Sequence, residues 1–140
     1  MESIEIEFIN NESEKIKLKC ENAKTLLQKI RGLMYRVDLD EDKGMIFIFK
    51  IPWIRTFWMK NIYIPLDIIF INRENKIIKI YEAPVEKFIL KKLYCSIGFF
   101  KYVIETNKGF CRENKIKKGC KIKIYKKKKK MEKMLLWPFN

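Results

Sequence analysis

The sequence predicts a mainly β domain with one principal helix, an α+β chain whose strands form a compact antiparallel sheet or a small barrel. Three observations predict it. Short apolar runs of strand length recur along the chain; the first two runs alternate apolar and polar residues; and only residues 23–34 carry the three- and four-residue spacing of a helical face. With 140 residues, 48% of them hydrophobic and 14% aromatic, the chain has the size and composition to bury one core.

The elements follow in order. Ile4, Ile6 and Phe8 alternate with Ser3, Glu5 and Glu7, Asn10 and Asn11 mark a turn, and Ile16, Leu18 and Cys20 alternate with Lys15, Lys17 and Lys19. This is a hairpin with one apolar face, whose other face pairs glutamates with lysines across the strands. A helix is expected next, with Ala23, Leu26, Leu27, Ile30, Leu33 and Met34 on its inner face, Asn22 as its cap and Gly32 placed to end it. The acidic stretch 38–42 lacks the spacing of a calcium loop and reads as a solvated loop.

Residues 45–49, 57–64 and 66–71 are three continuous apolar runs of strand length, and Pro65, which cannot donate to a ladder, belongs at the entry of the third or on an edge. A turn at 72–75 leads to a strand at 76–83. Residues 84–100 have no settled period and read as loop. Strands at 102–106 and 121–125 flank a short turn or helix at 109–114. The domain therefore spans residues 1–125, and 126–140 form a basic tail, disordered or folded as a short amphipathic helix.

Composition narrows the chemistry. The chain has no histidine, which removes Ser/His and Cys/His nucleophile pairs and histidine-held catalytic metals. Four cysteines without a CxxC pair read as reduced thiols, with a Cys111–Cys120 disulfide as the hyperthermophile alternative. Met34, Met45 and Met59 read as core filling rather than as copper ligands, so neither a metal nor a cofactor is expected. The acidic, alternating start is unlike a secretory signal and no apolar run spans a bilayer, so a cytoplasmic protein is expected.

Most of the formal net charge of +14 falls in residues 81–140. The run Lys126, Lys127, Lys128, Lys129 and Lys130 suits nucleic acid, by counterion release, or an anionic membrane surface, with Met131, Met134, Leu135, Trp137 and Phe139 as an interfacial anchor. The plainer reading is a solvated tail.

The motifs RGLM (31–34), GMIFIF (44–49), FWMKN (57–61), IPLDIIF (64–70) and YVIE (102–105) occur in an order and spacing that resembles one family, the domain-of-unknown-function family numbered 192, also the uncharacterised protein family numbered 0127. The resemblance implies a small single domain of strands with a helix, found in bacteria and archaea, with no established biochemical activity. It places the family's characteristic positions on Arg31, Gly32, Leu33, Met34, Gly44, Met45, Trp58, Met59, Asn61, Pro65, Leu66 and Asp67. Many bacterial members resemble exported proteins with a signal peptide, from which this chain departs.

The segment 44–70 sets Arg55, Lys60, Asn61 and Asp67 among bulky apolar residues, and burying such groups unpaired costs about 2–7 kcal/mol each. They should answer one another or a ligand. Arg31, at the helix end, is the expected partner of Asp67, as a structural clamp or as part of a site. The candidate ligand-binding set is Arg31, Trp58, Lys60, Asn61, Asp67 and Glu105, facing a small anionic or amide-bearing ligand. A monomeric, non-enzymatic binding module is the first reading. Association through the lysine tail is the alternative, and an enzyme using Asp67 as acid/base, alone or with Glu105 from a different segment, a further one.

Overall fold

The alternation of the first 23 residues folds as the hairpin it predicts. In the computed structural model, which describes residues 1–53, 55–87, 92–96 and 98–126, β1 (Ser3–Ile9) and β2 (Lys15–Ala23) pair antiparallel. Ile4, Ile6 and Phe8 stand opposite Cys20, Leu18 and Ile16, while Glu5 and Glu7 stand opposite Lys19 and Lys17. Lys17 Nζ lies 3.4 Å from Glu5 Oε1 on the outer face. The Asn10 carboxamide oxygen closes the turn by accepting from the backbone N–H groups of Glu12 and Glu14, at 3.0 and 2.8 Å.

Seven strands form one sheet in the order β6-β5-β8-β3-β2-β1-β9, with β3 (Lys43–Trp53), β5 (Leu66–Ile71), β6 (Ile77–Ala83), β8 (Phe100–Asn107) and β9 (Lys121–Tyr125) joining the hairpin. Its neighbours are antiparallel except β2 and β3, which run parallel. The first and last strands of that order meet at one end, where Lys76 bridges Lys121 and the Ile77 N–H donates to the Cys120 carbonyl at 2.9 Å. The sheet is thus curled toward a barrel. β4 (Thr56–Trp58) and β7 (Leu93–Cys95) form a separate two-stranded piece.

One principal helix is not what forms. α1 (Leu26–Arg31) has six residues and α2 (Phe110–Glu113) four. Ala23 completes β2 instead of opening a helix, Thr25 rather than Asn22 supplies the cap, and Gly32, at φ 50° and ψ −128°, turns the chain before Leu33 and Met34. The capping box of Thr25 and Gln28 fixes the start. Leu26, Leu27 and Ile30 then face solvent, and α1 buries no residue.

The strand expected over residues 57–64 is likewise cut to β4, because Asn61 takes φ 58° and turns the chain; Ile62 and Ile64 are buried from the loop that follows. Pro65 stands just before β5, where its missing N–H interrupts no ladder bond. β7 lies inside the stretch expected to be loop.

Both faces of the sheet are covered, so two cores exist. Met45, Phe47, Ile68, Phe70 and Val103 belong to one, while Ile46, Ile69, Ile71 and Ile104 belong to the other with the hairpin's apolar face. This strict alternation explains why β5, buried at all six positions, reads as a continuous apolar run. Gly44 permits the central pairing: a Cβ there would lie 2.7 Å from the Glu105 carbonyl oxygen.

Candidate functional site

Side chains two apart on a strand share a face, and this separates the buried carboxyl of Glu105 from that of Asp67. Glu105 follows Val103 on β8 and stands opposite Ile68 and Met45, so it faces the first core. Asp67 precedes Ile69 by two positions on β5 and faces the second. They lie on opposite sides of one sheet and cannot share a proton or a ligand.

Asp67 is fully answered from the backbone. Its Oδ1 accepts from the Gly109 N–H at 3.1 Å and its Oδ2 from the Cys111 N–H at 2.9 Å, so it anchors the start of α2 to β5. Burial pushes its carboxyl up from the ordinary carboxylate range, and these backbone hydrogen bonds pull it partly back. The Arg31–Asp67 pair expected from the sequence does not form. Cys111, beside it, is a free thiol held protonated chiefly by burial and by the Asp67 charge; the other three cysteines are free as well.

Glu105 is the opposite case. It is 5% exposed, its Oε2 has no hydrogen-bond partner among the described residues, and burial alone raises its carboxyl to about 7. A buried polar atom left in this state costs about 1–3 kcal/mol, which a ligand donor would recover. Gly32 passes directly over it: a Cβ at that glycine would sit 3.7 Å from Glu105 Oε2 and 3.4 Å from the Phe47 ring. With φ at +50°, a side chain would be strained there as well.

Glu105 is the floor of a groove of about 610 Å³. Phe47, Phe49, Phe57 and Trp58 supply aromatic walls; Leu33, Met34 and Ile62 supply aliphatic ones. Phe57 sits edge-to-face against Phe47 and Phe49, with centroids 5.5 and 6.3 Å away. Lys29, Arg31 and Arg55 stand along the mouth, and among the described residues none of them forms an ion pair. The volume and the mix of apolar walls with a few polar groups are those of small-ligand sites.

Of the residues proposed from sequence, the groove gathers Arg31, Trp58 and Glu105. Lys60 lies behind Trp58, with Nζ 5.4 Å from the ring centroid. Asn61 ties two loops together: its Nδ2 donates to the Tyr35 hydroxyl at 3.0 Å and its carbonyl accepts from the Tyr35 N–H at 2.9 Å. Lys126 is exposed beyond β9, and Lys127, Lys128, Lys129 and Lys130 fall outside the described residues. Sequence reasoning missed Lys29, Phe47 and Phe49 as site residues. Phe47 and Phe49 read as ordinary strand core, and the one available signal for Lys29 was a cation set among the apolar residues of α1. Among the described residues no group of three or more Cys, Asp or Glu is placed to hold a metal ion, and no helix is long and apolar enough to cross a membrane.

Three comparisons bear on this architecture. Residues 8–124 match the profile of the family DUF192, described as Uncharacterized ACR, COG1430. No curated protein matches the chain. A candidate transcription regulator of Sinorhizobium meliloti 1021 has a similar crystal structure, with TM-score 0.81, 29% identity, and 88% of this chain and 94% of that one covered. A protein of unknown function from Novosphingobium aromaticivorans DSM 12444 is similar at TM-score 0.78 and 30% identity, over 86% of this chain and 84% of that one.

Proposed function

This chain belongs to the DUF192 family, and from that premise we propose that it is a small-ligand-binding module whose ligand lies in the groove between α1, β3 and β4. The observation that carries the reading is the Glu105 carboxyl, buried at the groove floor with Oε2 unpaired. A fold that buries an acid opposite a passing glycine and leaves its Oε2 without a partner among the described residues has a position for a ligand N–H or O–H. The Asp67 carboxyl faces the other side of the sheet and cannot act with Glu105, which favours binding over catalysis.

The neutral dye N-phenyl-1-naphthylamine tests the groove. We expect saturable, one-site fluorescence enhancement, weakened about tenfold in Trp58→Ala, since truncating one aromatic wall removes roughly 1–3 kcal/mol of contact. Asp67→Asn should melt at lower temperature yet bind the dye unchanged, because it replaces an acceptor of the Gly109 and Cys111 amides with a donor. Dye affinity unaltered by Trp58→Ala, or lost in Asp67→Asn, would overturn the groove reading.

A second reading is favoured by one feature: the outward lysines Lys121 and Lys123 of the edge strand β9 lead through exposed Lys126 into the lysine run. The S. meliloti neighbour is described as a candidate transcription regulator, and a basic strip of this kind suits nucleic-acid phosphates. Retention of DNA or RNA on a filter at low salt, falling steeply as salt rises, is its expected signature; no retention at low salt would end it.

A further inference from the structure

The groove mouth carries a second unanswered charge, of the opposite sign to Glu105. Lys29 Nζ lies 5.1 Å and Arg55 Cζ 4.6 Å from the centroid of the same ring, that of Phe49. Two cations thus lie against one aromatic ring, and among the described residues neither of them forms an ion pair. Partial burial and repulsion from Arg55 and Lys50 weaken the hold of Lys29 on its proton. The ring's quadrupole offsets part of this repulsion, and an anion at the mouth would offset more of it with charge-assisted hydrogen bonds. Arg31 stands on the same rim.

Resting on the ligand-groove reading, we infer that the ligand is an amphipathic anion, its carboxylate or phosphate held between Lys29 and Arg55 and its far end donating a hydrogen bond to Glu105. Each part of the groove selects one part of that molecule. The cationic mouth rejects amines, the walls of Phe47, Phe57, Trp58 and Leu33 take an apolar or aromatic body, and the floor acid favours a terminal hydroxyl or N–H. An inorganic anion would satisfy the mouth and leave Glu105 unpaired. A plain hydrocarbon would satisfy neither end. A site built to accept a hydrogen bond discriminates strongly against the analogue that lacks the donor.

Displacement of N-phenyl-1-naphthylamine by three small probes at about pH 8, where Glu105 is mostly ionised, tests this. The probes are 3-(4-hydroxyphenyl)propionate, which has both ends; 3-phenylpropionate, which lacks the donor; and tyramine, which replaces the anion with a cation. We expect the hydroxy acid to displace the dye, the phenyl acid to need about ten times more, and tyramine to be ineffective. Arg55→Ala, altering an exposed side chain, should weaken both acids about fivefold or more once any change in dye affinity is accounted for. Glu105→Met should erase the difference between the two acids. If the dye binds but tyramine competes as well as the hydroxy acid, if the two acids compete equally in the unmodified protein, or if Arg55→Ala changes neither, the anion assignment is wrong while the groove stands. If the dye itself fails to bind, the groove reading fails first.

Discussion

Two carboxyls buried in one small domain have opposite fates, and the difference lies in what surrounds each oxygen. Asp67 receives two backbone N–H groups, whereas Glu105 Oε2 receives none. Stability should register this through pH. The Glu105 carboxyl, raised from 4.5 to about 7, keeps its proton in the folded state after the unfolded chain has lost it. At this group the folded protein then binds more protons than the unfolded one between those values, so the contribution of Glu105 to stability is full below about 4.5, declines as pH rises toward 7, and levels off above. The decline amounts to about 3 kcal/mol. Chemical denaturation of Glu105→Gln should remove this part of the pH slope; an unchanged slope would show that Glu105 is solvated or partnered in solution. Asp67, Arg31 and Asn61 were all legible as polar groups needing partners. Which partner each takes was not, because the Gly109 and Cys111 amides lie some forty residues from Asp67 in sequence and carry no side-chain signature.

At the scale of elements, strands announced themselves better than helices. β1, β2, β5 and β9 follow directly from alternation or from a continuous apolar run, since a pleated strand fixes side-chain direction residue by residue. α1 misled because its apolar spacing is genuine while its burial is absent: Leu26 and Leu27 are 73% and 78% exposed. Six residues are too few to be helical without their cap, and the Gly32 turn that ends them serves the groove. Leu27→Ser should therefore shift stability by no more than about 0.5 kcal/mol, measured by thermal melting. A loss of several times that would mean α1 packs its apolar face in solution. β4 and the loop after it also escaped the sequence reading, because Asn61 in a left-handed conformation breaks what looks like one apolar strand.

Over the whole molecule, the curled sheet makes two compartments, and this organises the site. The face lined by Ile69, Ile71 and Ile104 closes on the hairpin and α2, with Asp67 as an internal tie. The other face is covered by loops and by the two-stranded β4–β7 piece, and the cover leaves the groove. The motifs that carry the family resemblance divide accordingly. Arg31, Gly32, Leu33, Met34, Trp58 and Glu105 line the groove, while Gly44 allows β3 and β8 to close beneath it and Asp67 holds the far side. Spacing alone placed these residues in one domain; it did not reveal the face each would occupy, since that depends on the register between β5 and β8.

The most direct measurement of the central claim follows both acids at once, by carboxyl carbon NMR during titration with N-phenyl-1-naphthylamine. The Glu105 carboxyl resonance should move saturably, with the dissociation constant given by dye fluorescence, while the Asp67 resonance stays still on the opposite face. Movement of Asp67 with Glu105 unmoved, or of neither while the dye binds, would contradict the assignment of the groove and its floor acid as the site.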